Sequence, residues 1–173
     1  MTKQNDLKLV GRELIEKMRS DAVSVERKRT HYNLHPVLSD PVQRLVVAID
    51  PGSYIRPHRH CDPGKWELFI LLEGAATILI FDDEGCVINR VDLSENGPVH
   101  AVEIPENAWH TLAARKKGSI LIEIKPGPYS PLADKDFAAW APEEGEEDVK
   151  LFEMTFRTCK IGQEMPAKKN KSK

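Results

Sequence analysis

With 173 residues, 40% hydrophobic and 30% charged, the chain has the length and balance of one soluble globular domain with its own core. A formal net charge of -2 excludes a global attraction to nucleic acid or to an anionic membrane, and no apolar run is long enough to span a bilayer. Three widely spaced cysteines, Cys61, Cys86 and Cys159, imply no disulfide framework, and a polar N-terminus without a signal-peptide core makes the cytoplasm the expected location.

Leu7, Val10, Leu14, Ile15, Met18 and Ala22 fall near helical spacing with charges between them, which predicts an amphipathic helix from about Gly11. A helix this short is marginal alone and must pack on something. Residues 27–35 hold Arg27, Arg29, His31, Asn33 and His35 with few core residues, and read as a loop or extended arm. Polar density on such a segment points to binding.

From Gln43 the period changes. Short strands are predicted over 44–49, 54–60, 66–72, 76–81, 86–91, 99–104, 108–114 and 119–125, with Gly, Pro or Asn turns between most of them. Pro57 marks an edge or a bulge. This pattern predicts an all-β sandwich or barrel, and the absence of interleaved helical patterns excludes a doubly wound α/β fold. The proline-rich residues 126–131 stop the pairing. Residues 137–140 are aromatic enough to cover the barrel, and 151–156 alternate weakly and are predicted as a last edge strand. Residues after about Gly162 are predicted to be disordered. The division is therefore 1–42, helix and arm packed on the barrel; 43–126, barrel; 127–162, covering segment; and 163–173, basic tail.

The chemistry concentrates in residues 52–67 and 104–110. His58 and His60 are two apart, so on a strand both side chains share one face. Glu67 enters on the next strand after the turn at Asp62-Pro63-Gly64, and His110 follows a second turn. Three imidazoles and one carboxylate suit one divalent transition ion, Fe, Mn, Ni, Co or Zn, and argue against calcium or magnesium. Cys61 alternates away from His60 and is no ligand on that geometry. Tyr54 and Arg56 share parity with the histidines and are expected to face the same space. An inward Arg56 binds an anionic substrate or pairs with Glu103 or Glu123. Trp109 either walls the pocket or sits in the core.

The segment Gly52 to Gly74, with His58-Arg59-His60 and Glu67, resembles the first cupin motif, and Pro105-Glu106-Asn107-Ala108-Trp109-His110 resembles the second. The gap before Glu67 is two residues longer than the usual pattern, Asn107 stands where glycine is usual, and Ala114 replaces a frequent asparagine. Arg27 to His35, Gln43-Arg44, Tyr54 to His60, Lys65-Trp66-Glu67, Val102 to Pro105, Trp109-His110, Gly127-Pro128-Tyr129, Lys135 to Ala138 and Trp140 to Pro142 together resemble the WbuC family of cupin-fold metalloproteins. That resemblance implies a double-stranded β-helix jelly roll holding a metal, in a bacterial cytoplasmic protein associated with O-antigen or other surface-polysaccharide genes. It implies no defined reaction.

The expected function is a metal-dependent cupin acting on a small polar or anionic molecule, a sugar or sugar nucleotide among the candidates. Metal ligands are His58, His60, Glu67 and His110; substrate-binding candidates are Tyr54, Arg56, Arg29, Asn33 and His35. No catalytic base is assigned, with Tyr54 and His35 as the only candidates. The alternatives are a non-catalytic sugar-binding or regulatory cupin, and a metal-free sugar epimerase or isomerase, which needs no such ligand set. A homodimer is expected from the apolar outer residues Leu68, Ile70 and Leu72.

Overall fold

The computed structural model describes residues 7–61, 64–130 and 136–168. The expectations for the polar N-terminal residues 1–6, for Asp62 and Pro63 in the turn, for Lys135 and for residues 169–173 of the tail lie outside the described residues.

Helix α1 (Arg12–Ser24) starts at Gly11, where the Ile15 amide donates to the Gly11 carbonyl at 3.1 Å. It buries Ile15, Met18 and Ala22 against Val46, Ala48 and Ile120 on the outside of one sheet. The charged remainder faces water, as an amphipathic pattern requires.

Strands β1 (Arg29–Asn33), β2 (Val42–Ile49), β4 (Glu67–Glu73), β7 (Ala101–Ile104) and β9 (Ser119–Pro126) form one antiparallel sheet in the order β1-β2-β9-β4-β7. Strands β3 (His58–Arg59), β5 (Ala75–Phe81), β6 (Val87–Ser94), β8 (Trp109–Ala114) and β10 (Asp136–Phe137) form the other, in the order β10-β3-β8-β5-β6. The chain crosses between sheets at nearly every connection, and only β1–β2 and β5–β6 are neighbours within a sheet. The result is a jelly-roll barrel.

Between the sheets lie Ile49, Phe69, Leu71, Ile78, Leu93, Ile104, Leu112 and Leu121. Strand β5 is buried on both faces, so it reads as a continuous apolar run. Ile78 faces the barrel interior, while Leu79 and Phe81 face a second core under the C-terminal helix. Gly74 closes the β4–β5 turn at φ +91°, and a Cβ there would meet Ser119 Cα at 2.9 Å, so glycine is required on both counts.

Of the two readings of the arm at 27–35, the extended one holds: residues 29–33 form β1 and pair with β2 from Arg29 opposite Ile49 to Asn33 opposite Leu45. Two expectations are corrected. The predicted last strand is helix α2 (Val149–Thr158). Phe152 and Phe156, four residues apart, are fully buried against Tyr54, Phe81 and Trp109, whereas Met154 is 50% exposed. The alternation at 151–156 hid an i, i+4 pair. The predicted disorder after Gly162 does not hold for 163–168: Val87 donates to the Gln163 carbonyl at 2.9 Å, Glu164 bridges Cys86, and Met165 packs on the core.

The helical assignment of α2 makes a test. A strand would bury Met154 together with Phe152 and Phe156, whereas the helix leaves it outside. Phe152→Ala should cost about 3–5 kcal/mol in urea unfolding, and Met154→Ala within about 0.5 kcal/mol.

Candidate metal centre and its cavity

His58 on β3 pairs directly with His110 on β8. His60 follows at the end of β3, and the Cys61–Gly64 bridge turns the chain toward Glu67, the first residue of β4. Glu67 belongs to the opposite sheet, where it pairs with Ile104. Asn107 takes the left-handed conformation, φ +65°, in the turn before β8, and its amide donates to the His60 carbonyl at 3.1 Å. Asparagine tolerates that conformation best after glycine, so the substitution keeps the turn that aims His110.

The four side chains converge. His58, His60, Glu67 and His110 are each no more than 4% exposed, and one donor atom from each lies within 4.8 Å of all the others. His60 Nε2 lies 3.0 Å from Glu67 Oε1 and His110 Nε2 lies 2.9 Å from Glu67 Oε2. His110 Nδ1 also faces an acceptor, the Ala108 carbonyl at 2.9 Å, and His58 Nδ1 faces the Arg56 carbonyl at 3.0 Å. A neutral imidazole has one N–H. With Nδ1–H directed to the Ala108 carbonyl, the lone pair of His110 Nε2 meets a carboxylate oxygen. That contact is repulsive unless a proton or a cation lies between them. The donor set and this orientation both fit a divalent transition ion.

Burial pushes the Glu67 carboxyl up, but the Lys125 ammonium, together with His110 and His60 where their Nε2 atoms carry a proton, outweighs it and holds the group well below the usual carboxylate range. Lys125 Nζ lies 2.9 Å from Glu67 Oε1 and 3.0 Å from Glu123 Oε1, on the neighbouring strand β9. The contact of Lys125 with Glu67 is no part of the sequence expectations. The signal was present: in the apolar strand 119–125, charge falls only at Glu123 and Lys125, two residues of one parity.

A cavity of about 500 Å³ opens from His58, Glu67 and His110. Its floor is the inner face of the first sheet, with Leu45, Val47, Phe69, Glu123 and Lys125, and β1 adds Arg29, His31 and Asn33. His35, Arg56, Phe137 and Glu144 complete the rim. A separate depression of about 260 Å³ at Val23, Lys28, Asp50, Pro51 and Lys117 touches none of the four converging residues.

The remaining candidates distribute as follows. Arg29 donates to the Tyr54 carbonyl at 2.8 Å and pairs with Glu144 at 2.5 Å, tying β1 to the covering segment. Burial lowers its pKa and Glu144 opposes that shift. Arg56 does not pair with Glu103 or Glu123. It lies over the Phe137 ring at 5.3 Å, donates to the Ala138 carbonyl at 3.1 Å and faces Glu143 at 3.5 Å. Tyr54 does not face the cavity. Residues 53–57 are not a regular strand, so alternation fails there, and Tyr54 turns into the α2 core, stacks on Phe156 and donates to the Pro142 carbonyl at 2.8 Å. Burial pushes its hydroxyl pKa up. Trp109 is also core, its indole N–H bound to Asp83 at 2.8 Å.

Similarity to known structures lies at the level of the fold alone. Residues 10–93 match the family model described as a domain of unknown function, DUF6016. No curated protein sequence matches the chain. Among solved structures, CapF with a bound tropolone inhibitor superposes with a TM-score of 0.50 at 21% identity, over 63% of this chain and 30% of CapF. The fold is a cupin jelly roll. Oxalate decarboxylase from Bacillus subtilis gives 0.48 at 17% identity over 63% of this chain, and KdgF from Halomonas sp. gives 0.47 at 20% over 62%. This chain covers 86% of KdgF but only 27% of the decarboxylase. Among the described residues no helix is long and apolar enough to cross a membrane.

Placing Tyr54 in the core leads to a direct expectation. Tyr54→Phe removes a buried hydrogen bond and leaves the Pro142 carbonyl unpaired, so stability should fall by about 1–2 kcal/mol in urea unfolding. Metal content should be unchanged.

Proposed function

We propose that this chain is a metal-binding cupin whose His58, His60, Glu67 and His110 hold one divalent transition ion, and that it acts on a small polar or anionic molecule in the adjoining cavity. One observation carries the reading: four buried donors from three strands of two sheets meet within 4.8 Å, with imidazole nitrogens aimed at a carboxylate. An ion bound there supplies Lewis acidity toward a ligand oxygen or, if it is iron, activation of dioxygen. The chain's own groups have separate parts. The backbone carbonyls of Arg56 and Ala108 orient two imidazoles, Lys125 holds Glu67 ionised, and the rim arginines, with the charge of a bound ion, admit an anion.

The WbuC resemblance of the sequence supports a finer reading, a bacterial cytoplasmic protein of surface-polysaccharide metabolism with a sugar or sugar nucleotide as its ligand. A homodimer belongs to the same reading. Leu68, Ile70 and Leu72 leave apolar surface on the outer face of β4, with Leu72 39% exposed.

Metal analysis tests the centre. Purified protein reloaded with Fe, Mn, Ni, Co or Zn should carry one equivalent per chain, and His58→Ala or His60→Ala should reduce this to a trace. Wild-type protein that takes up none of the five ions would overturn the reading. Light scattering should return twice the chain mass at micromolar concentration, and a single-chain mass rejects the dimer.

A further inference from the structure

We propose that the cavity takes a hydroxylated anion of monosaccharide size, with its acid group at the His58–Glu67–His110 wall and its hydroxyl groups read by Asn33 and His35. This deepens the reading above and rests on it. The first argument is span. Across the sheet, Asn33 pairs with Leu45, Leu45 with Glu123, and Glu123 with Phe69 on the strand that carries Glu67. Three strand spacings separate the two ends, about 14 Å between backbones. Side chains narrow that gap, yet a two-carbon acid held at one end cannot touch the other. A cavity of about 500 Å³ has room for a sugar ring with a charged substituent.

The second argument is polar satisfaction. His35 is 4% exposed, and its Nδ1 is engaged with the backbone of Arg44, whose N–H lies 3.0 Å away. Its Nε2 and the Oδ1 of Asn33 are buried and meet no hydrogen-bond partner among the described residues. Both residues line the same cavity. Buried polar atoms are nearly always paired, so two orphans on one wall mark where a ligand supplies the partners. An amide oxygen needs a donor; His35 Nδ1 accepts from the Arg44 N–H, so in the neutral ring Nε2 carries the proton and needs an acceptor. Hydroxyl groups serve both. Between the two ends, Leu45 and Phe69 offer the apolar contact that the C–H face of a sugar ring needs.

The third argument is charge. Arg27, Arg29, Arg56 and Lys125 stand against Glu67, Glu123, Glu144 and the Glu143 that faces Arg56, so the side chains balance and a divalent ion leaves the cavity with two positive charges. The acid group is a carboxylate or a phosphate, and two probes separate these sources.

Calorimetric titration of the metal-loaded full chain with glucuronate, glucose 6-phosphate and glucose reads the proposal, with metal content and thermal midpoint measured on the same samples. One of the two sugar anions should bind at least tenfold more tightly than glucose. His35→Asn keeps an acceptor for the Arg44 N–H and removes Nε2; Asn33→Leu removes Oδ1 at similar volume. Each should weaken the sugar anion about 5- to 100-fold, with metal content and midpoint unchanged. Metal-loaded wild type that binds neither sugar anion, or folded variants that bind as tightly as wild type, would overturn this inference and leave the metal centre standing. A chain that takes up no metal removes the underlying reading instead.

Discussion

Glu67 is an ionised carboxylate with almost no access to water, and leaving such a charge buried and unpaired would cost several kcal/mol. The fold surrounds it with compensation. Lys125 approaches from the next strand, His60 and His110 from the facing sheet, and Glu123 in turn balances Lys125. Each partner depends on strand register, because shifting β4 or β9 by one residue would turn these groups out of the barrel. The polar centre and the sheet pairing are one constraint.

Around that centre the molecule divides its labour between two apolar cores and one charged rim. The interior core ends at the cavity, where Phe69 and Leu112 give way to Glu67 and His110. The second core, under α2, draws in Tyr54 and Trp109 and so fixes the backbone on either side of the histidines without placing those aromatic rings in the site. Arg27 and Arg29 meet Glu144, and Arg56 rests on Phe137, which holds the covering segment to the barrel mouth.

Much of this was legible in the sequence because burial and chemistry followed one period. The histidine pair kept the two-residue spacing of a strand face, and the apolar strands announced a barrel. Tyr54 departs from its expected direction because Pro57 and the irregular backbone before it break that period, so equal parity no longer means equal direction. α2 resembles a strand in sequence because the Phe152–Phe156 pair fits both a strand's alternation and a helix's turn, and only the exposure of Met154 separates them. The arm reads as loop or extended segment alike because β1 is an edge strand in which no residue is buried. The part of Lys125 is hidden in the sequence, since a charge near a strand end usually means solvent, and only the register brings it to Glu67.

The two-sheet origin of the central cluster has a dynamic consequence. β3 and β8 cannot part from β4 and β9 without separating Glu67 from His60 and His110 in a dry interior. Small fluctuations that open other edges, such as β1 or β10, leave that contact intact. Amide protons of β4 that bond to β9, unlike those facing the short edge strand β7, therefore lack a cheap local route to solvent and are the slowest class to exchange.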